Sequence, residues 1–304
     1  MLNDLRCSDT STGTFPRTVV HDGGETTITS EPERVVSIEG TTSLDMLLLM
    51  GVMPAAAGAD YEDPFRVAPW QAVLTNGDRE APGFALVPKR PEVNVEAIAA
   101  AHPDLIISQS GWLKTVAEQV ESLGVPTVVF DWSADKTDWR DNVRIVGEAV
   151  GRDQCVAEIV GKVEAKIAET RAALEASGVA DDSFTVITNV EGYLAYHGAL
   201  DTIGKALTED LGLQLTPSDG SQTEFTVETA ESILVGDHIL AFDYGDSAAL
   251  LESFLQQPTV RNVAGRFVVM PEAVSNAGYY PSALGYYMWL DWMAKTFGGS
   301  ASTG

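Results

Sequence analysis

The feature that most constrains this chain is an unbroken helical pattern over residues 153–176. Apolar residues recur at Val156, Ile159, Val160, Val163, Ile167 and Leu174, the three-and-four spacing that gathers them on one helical face. Asp153 is placed to accept from free N–H groups of the first turn. Ser177-Gly178 supplies the residue type that ends a helix in a left-handed conformation. At 1.5 Å per residue such a helix spans roughly 35 Å, the width of a small domain. A rod of that length with a substantial stretch of chain on each side predicts a division into two halves.

The two halves share a pattern. Before the helix, Val93-Asn94-Val95-Glu96-Ala97-Ile98 leads to Asp104-Leu105-Ile106-Ile107. After it, Phe225-Thr226-Val227-Glu228-Thr229-Ala230 leads to Asp237-His238-Ile239-Leu240. In each, a Glu opens a short helix that runs into a buried strand. Around these pieces, apolar runs alternate with helical patterns. Strands are expected at 35–38, 55–58, 105–108, 127–130, 185–189, 238–242 and 267–269. Helices are expected at 43–50, 95–101, 112–123, 139–150, 203–211, 227–234, 250–256 and 282–297. This alternation predicts parallel sheets with helices on both faces. Residues 18–28 read as a β-hairpin about Asp22-Gly23. Residues 60–91 are irregular, with one short helix near 65–72. The fold class is therefore α/β, with two Rossmann-like lobes of mainly parallel sheet joined by one long helix. The divisions are a flexible linker at 1–17, a first lobe at 18–152, the helix at 153–177 and a second lobe at 178–304.

Composition narrows the partners. The 304 residues carry 19 basic and 44 acidic side chains, a formal charge of −25. Such a surface repels nucleic-acid phosphate and anionic lipid. The chain contains no apolar run near the length needed to span a bilayer. Its four histidines, His21, His102, His197 and His238, have no metal-ligand spacing, and nucleophile elbows and phosphate loops are absent. Tyr196-His197 is the one pair that could serve a haem iron. Two cysteines, Cys7 and Cys155, are too few for a disulfide scaffold or a zinc site. Cys155 falls in the first turn of the long helix, where a small buried side chain is expected. Cys7 heads a polar, small-residue leader that should be disordered. That arrangement resembles the mature end of a bacterial lipoprotein, lipidated on its first cysteine. It departs from the type because Leu5-Arg6 is not the usual small-residue approach to the cysteine.

A wider resemblance rests on several motifs in order. Glu31-Pro32-Glu33-Arg34-Val35-Val36-Ser37 comes first, then a helix ending Leu48-Leu49-Met50-Gly51-Val52. Val95-Glu96-Ala97-Ile98 follows, with His102-Pro103-Asp104-Leu105-Ile106-Ile107 and Leu123-Gly124-Val125-Pro126. With the single long helix, these resemble class III solute-binding proteins, which serve ABC importers for ferric siderophores, haem and vitamin B12. The resemblance runs from about Thr18 to Phe297. It implies two α/β lobes with the ligand in the cleft between them. It also implies a Glu on each lobe, here Glu96 and Glu228, that docks into arginine pockets of the permease. Charge-assisted bonds from exposed carboxylates to Arg suit that role.

The expected function is extracytoplasmic capture of a ferric siderophore and its delivery to an ABC importer permease by a monomeric, non-enzymatic protein. The site would be periplasmic, or the cell surface, with membrane attachment only through a lipid on Cys7. Iron would arrive within the siderophore, with no cofactor of the protein's own. A haem- or corrinoid-binding protein of the same class remains open, as does an α/β enzyme reusing the two-lobe fold. Ligands of open α/β sheets bind outside the carboxyl ends of the strands. Those ends offer Trp112, Trp132, Tyr193, Tyr196, Tyr244, Tyr279 and Tyr280, aromatic area of the kind small-molecule sites use. The same loops carry four acids and no Arg or Lys. The nearest basic residues are Arg66, Arg79, Lys89 and Arg90 of the irregular stretch. A strongly anionic triscatecholate would need a basic cleft. The reading is therefore a neutral or cationic complex, a ferric hydroxamate of the ferrioxamine type.

Overall fold

The computed structural model describes residues 2–299 except 10, 61, 62, 64, 76, 90, 91, 132–137, 191, 192, 221, 243–247, 264, 265, 280 and 281. Two compact units are present. One comprises Met1–Val163 with Tyr280–Leu284, the other Glu164–Tyr279 with Gly285–Gly304. The long helix, Asp153–Ser177, starts in the first and finishes in the second. Gly178 ends it at φ +82°, as the sequence suggests. The carboxylate of Asp153 takes a two-pronged ion pair from Arg17 at 2.8 and 2.9 Å and also accepts from its own backbone N–H in the first turn. Among the described residues no helix is long and apolar enough to cross a membrane.

The first unit is a five-stranded parallel sheet in the order β5-β4-β3-β6-β7. Its strands are β3 (Val35–Ser37), β4 (Ala56–Gly58), β5 (Ala85–Val87), β6 (Leu105–Gln109) and β7 (Thr127–Phe130). The chain builds outward from β3 to β5 on one side, then crosses back and builds β6 and β7 on the other. The reversal falls between β3 and β6, where such sheets open a crevice at the strand ends. β3 and β4 are buried throughout, as expected of parallel strands covered on both faces. A hairpin of β1 (Arg17–His21) and β2 (Gly24–Ile28) lies along β7. The Thr26 hydroxyl donates to Thr127 O, and Asp22 N to Val129 O, so the hairpin occupies polar groups that an edge strand would expose. β5 has no counterpart among the sequence expectations, because Pro and Gly surround it. The helix expected over 112–123 is two, Ser110–Lys114 and Ala117–Glu121. Between them the Thr115 hydroxyl turns back to Trp112 O at 2.8 Å, a local bond that competes with helix continuation.

The segment before the hairpin is not a loose linker, and that expectation is corrected. Residues Leu2–Leu5 form a helical turn and Leu5 is 1% exposed. Cys7 is joined to Cys155 by a disulfide. A sulfur so bonded cannot also carry a lipid thioether, so the reading of Cys7 as the anchor is corrected too.

In the second unit β8 (Ser183–Val190) is central. It pairs in parallel with β12 (His238–Phe242), which pairs in parallel with β13 (Phe267–Val269). β10 (Gln214–Leu215) is parallel to the start of β8. On the same side β9 (Tyr193–His197) and β11 (Gln222–Phe225) are antiparallel. Tyr193–His197, rich in aromatic residues of high strand propensity, is separated from β8 by residues 191 and 192 alone. Tyr193 and Tyr196, which the sequence reading placed at a strand end, therefore lie within β9 itself. A core of Ile187, Leu194, Tyr196, Phe225, Ile239 and Phe254 lies beneath this sheet.

Candidate functional site

The first unit gathers its unusual chemistry at the carboxyl ends of β3, β4 and β5. Beyond β3 the chain runs Ile38-Glu39-Gly40-Thr41 into the helix Thr42–Leu49, every residue of which is buried. Gly40 has φ +66°, and a Cβ there would meet Gly58 O at 1.7 Å. At Gly58 a Cβ would meet Ile38 O at 2.2 Å and Lys89 Cδ at 3.0 Å. Two glycines thus let the exits of β3 and β4 touch backbone to backbone, with the Lys89 stem laid across them.

Around that contact is a buried polar network. Glu39 Oε1 accepts from Ser43 N at 2.6 Å, so its carboxylate meets the N-terminus of Thr42–Leu49 and is favoured there by the helix dipole. Asp45, one turn on, accepts from Gln71 Nε2 at 2.7 Å, Trp70 Nε1 at 3.2 Å and the Ser282 hydroxyl at 2.6 Å. Trp70 and Gln71 come from the short 3₁₀ helix Pro69–Val73, where Pro69 favours the first turn. Lys89, 4% exposed, donates to Glu39 O at 2.5 Å, and its ammonium lies 5.1 Å from the centre of the Trp112 ring, within cation–π range.

Burial governs the charge states. Desolvation lifts the Asp45 carboxyl to about 7, although bonds from Ser282, Gln71 and Trp70 favour the ionised form. It raises Glu39 as well, against the Ser43 bonds and the Lys89 charge. It lowers Lys89 to about 8, against the attraction of Glu39 and Asp60. Glu39 Oε2, Thr42 Oγ1 and Gln109 Nε2 are buried without a hydrogen-bond partner among the described residues. Register carries Glu39 and Gln109 to neighbouring ends of β3 and β6, at the reversal point of the sheet. Unpaired buried polar atoms cost about 1–3 kcal/mol each and concentrate where a fold serves function.

The anticipated residues separate clearly. Trp112 is brought to this network through Lys89. Lys89, one of the basic residues named in the irregular stretch, lies two residues past β5, a strand end that the sequence reading did not contain. Arg79 is paired with Asp60 at 2.9 Å, and Arg66 with Glu80 at 2.6 Å and Asp63 at 3.4 Å. These pairs hold the irregular stretch to itself. Tyr196 is 7% exposed within the second unit's core. Its neighbour His197 is buried too, with Nδ1 2.7 Å from Asp201 Oδ2. Tyr193 lies in β9, and Tyr279 ends the helix Glu272–Tyr279. Trp132, Tyr244, Tyr280 and Arg90 lie outside the described residues. Glu96 is exposed in the first turn of Val95–Ala100, which Asn94 caps through Ala97 N at 2.9 Å. Glu228 is exposed in the turn before Ala230–Ile233. The bond from Thr226 holds its carboxyl below the usual range. Among the described residues no three His, Cys, Asp or Glu side chains come together as a metal site.

Sequence reasoning named Glu39 and Gln109 as strand ends but missed Asp45, Trp70, Gln71 and Ser282 beside them. A charged residue in an otherwise apolar helix, Asp45 in Leu44-Asp45-Met46-Leu47, was the available signal.

Comparison with known proteins agrees with this architecture. The chain is 28% identical over 161 residues to a putative ABC transporter substrate-binding lipoprotein, YhfQ, of Bacillus subtilis, covering 52% of this chain and 47% of that protein. It is 26% identical over 254 residues to a probable siderophore-binding lipoprotein, YfiY, of the same organism, covering 80% of this chain and 74% of that one. The matched stretch is thus about half the length of the first relative and about three-quarters of the second. Among solved structures, a periplasmic solute-binding protein of Mycobacterium smegmatis superposes with TM-score 0.75 at 23% identity, covering 92% of this chain and 96% of that one. Staphylococcus aureus SirA complexed with staphyloferrin B gives 0.72 at 19%, covering 92% and 97%. These likenesses establish the two-lobe α/β fold. The two Bacillus relatives carry the names of binding components, not of enzymes, and the enzyme reading is set aside. A model of the family described as periplasmic binding protein matches residues 36–264, from β3 of the first unit to the approach of β13 in the second. A match that takes in most of both units and the helix they share makes the chain a member of the periplasmic binding protein family.

Proposed function

We propose that this chain captures a ferric hydroxamate siderophore outside the cytoplasm and delivers it, as a monomer, to the permease of an ABC importer. Membership of the periplasmic binding protein family and the likeness to a siderophore-binding lipoprotein over 80% of this chain support the class. A solved PiaA of Streptococcus pneumoniae, TM-score 0.69 at 22% identity, is in complex with ferrichrome. Glu96 and Glu228, exposed on separate units, are the docking carboxylates of this reading.

The observation that carries the hydroxamate assignment is charge balance. Arg66 and Arg79 are each opposed by a carboxylate, and Lys89 gives its ammonium to the Glu39 carbonyl beside the Glu39 carboxyl. Among the described residues of this stretch little positive charge is left to draw a triscatecholate, while a neutral or cationic complex meets no such demand. Tryptophan-fluorescence titration tests this. Ferrioxamine B should bind at least about 100-fold more tightly than a ferric triscatecholate, or about 2.7 kcal/mol. The opposite order would overturn the hydroxamate reading and favour the triscatecholate suggested by 29% identity over 161 residues to the ferric enterobactin-binding protein FepB of Escherichia coli.

A further inference from the structure

We infer that residues 2–17 form a disulfide-locked brace that holds in place the two helical elements carrying the buried network of the first unit. The brace has three kinds of attachment. The Cys7–Cys155 disulfide ties it to the first turn of the long helix. Backbone and side-chain bonds follow its course. Lys162 Nζ donates to Arg6 O at 2.6 Å, Ser8 N donates to Glu158 at 3.1 Å, and Gly13 N donates to Gly151 O at 2.7 Å. Leu5 is buried beneath it, and the Arg17–Asp153 ion pair closes its far end.

Two further bonds give the brace its purpose. Cys7 N donates to Leu49 O at 2.8 Å, at the C-terminal end of the helix Thr42–Leu49. Arg6 Nη2 donates to Leu74 O at 2.5 Å, at the end of the 3₁₀ helix Pro69–Val73. Asp45 belongs to the first element, Trp70 and Gln71 to the second, and the bonds among these three side chains join the same two elements directly. Neighbouring residues of the brace therefore satisfy the terminal carbonyls of both elements, groups that a helix cannot satisfy itself. The disulfide fixes where those residues lie. Reduction by a dithiol transfers two electrons and two protons to the S–S bond, giving thiols on Cys7 and Cys155 while the dithiol becomes a disulfide. The brace then depends on its hydrogen bonds, the Arg17–Asp153 ion pair and the burial of Leu5, and a short segment held without a covalent tie opens locally at lower free energy.

Two measurements on the intact chain test this. Denatured without reductant, the protein should take up no iodoacetamide, and after reduction two carbamidomethyl groups. Two groups without reductant, or a lipid thioether mass on Cys7, would overturn the inference. Hydrogen exchange should then be compared before and after native reduction with dithiothreitol, and in Cys7→Ser. Amides of residues 2–17 should exchange about tenfold faster or more once the disulfide is gone, with smaller increases at 49–52 and 74–75. Unchanged exchange there would overturn the brace. So would an increase as large over 183–242 in the second unit, which would signal general destabilisation.

Discussion

Ser282 donates its hydroxyl to Asp45 Oδ2 at 2.6 Å across 237 residues of sequence, and both side chains are fully buried. The bond is where the late segment Tyr280–Leu284 rejoins the first unit. Asp45 is the hub, for it also accepts from Trp70 and Gln71. Three separate pieces of chain therefore meet at one carboxyl group, beside the carboxyl ends of the sheet. Its burial is expensive when it is charged, and the donors around it offset only part of that cost.

The pH dependence of stability follows from this hub. The folded value of Asp45, about 7, lies above its ordinary 3.8. Between those values the folded chain holds the proton more often than the unfolded chain does. Stability is then fully present below about pH 4 and declines as pH rises to about 7. The contribution is on the order of 4 kcal/mol. Asp45→Asn keeps an acceptor for Trp70 and Gln71 and a donor for Ser282 but cannot ionise. Urea unfolding at pH 4.5 and pH 8 should show the wild type losing several kcal/mol more than Asp45→Asn over that interval. Parallel losses in the two proteins would show that Asp45 keeps an ordinary acidity.

Much of the fold was legible because periodicity reports burial. The long helix, the hairpin, β7 and β12 stand close to where their apolar spacing put them. β5 was hidden because three residues between prolines and glycines have no period to read. The candidate site was legible in Trp112, in part in Lys89, and in Glu39 and Gln109 as strand ends. Tyr196 was ambiguous because an aromatic residue near a strand end reads the same whether it faces ligand or core. Asp45 and Ser282 carried little signal because their pairing is a property of the folded chain, not of any local stretch. Cys7 and Cys155, separated by 148 residues, are alike in this respect.

Gly40→Ala should be among the most destabilising single substitutions in the first unit. The backbone there is at φ +66°, and the added methyl would stand 1.7 Å from Gly58 O. Neither partner can yield by rotating a side chain. The exits of β3 and β4 would have to part, disturbing Glu39 and Lys89 together. A loss of about 3 kcal/mol or more is expected in urea unfolding. A loss below about 1 kcal/mol would mean that these loops separate easily.

Docking and capture should be separable. Glu96→Ala and Glu228→Ala remove exposed carboxylates, and neither residue touches the Asp45 network by any described contact. Affinity for ferrioxamine B should stay within about threefold of wild type, under 1 kcal/mol. Uptake through the cognate permease should fall at least about tenfold for either variant and further for both. A tenfold loss of affinity in purified protein would place that carboxylate at the ligand instead.

Lys89 gives the sharpest check on charge balance. Its folded value, about 8, lies below the ordinary 10.5 because burial disfavours the ammonium. From about pH 8 to 10.5 the unfolded chain keeps a proton that the folded chain has lost, so this residue makes stability rise with pH over that window. The rise is on the order of 3 kcal/mol. Lys89→Met retains the apolar stem across Gly58 and against Trp112 but removes the titration, so the rise should disappear. The ligand preference should barely move. The ammonium is already committed to the Glu39 carbonyl at 2.5 Å and faces the Trp112 ring. The ratio of affinities for ferrioxamine B and a ferric triscatecholate should therefore change by less than about threefold. A selective loss of triscatecholate binding by tenfold or more, about 1.4 kcal/mol, would mean that the ammonium reaches the ligand. The pairing with Glu39 would then be a resting state from which Lys89 swings out, and the hydroxamate assignment would lose its main support.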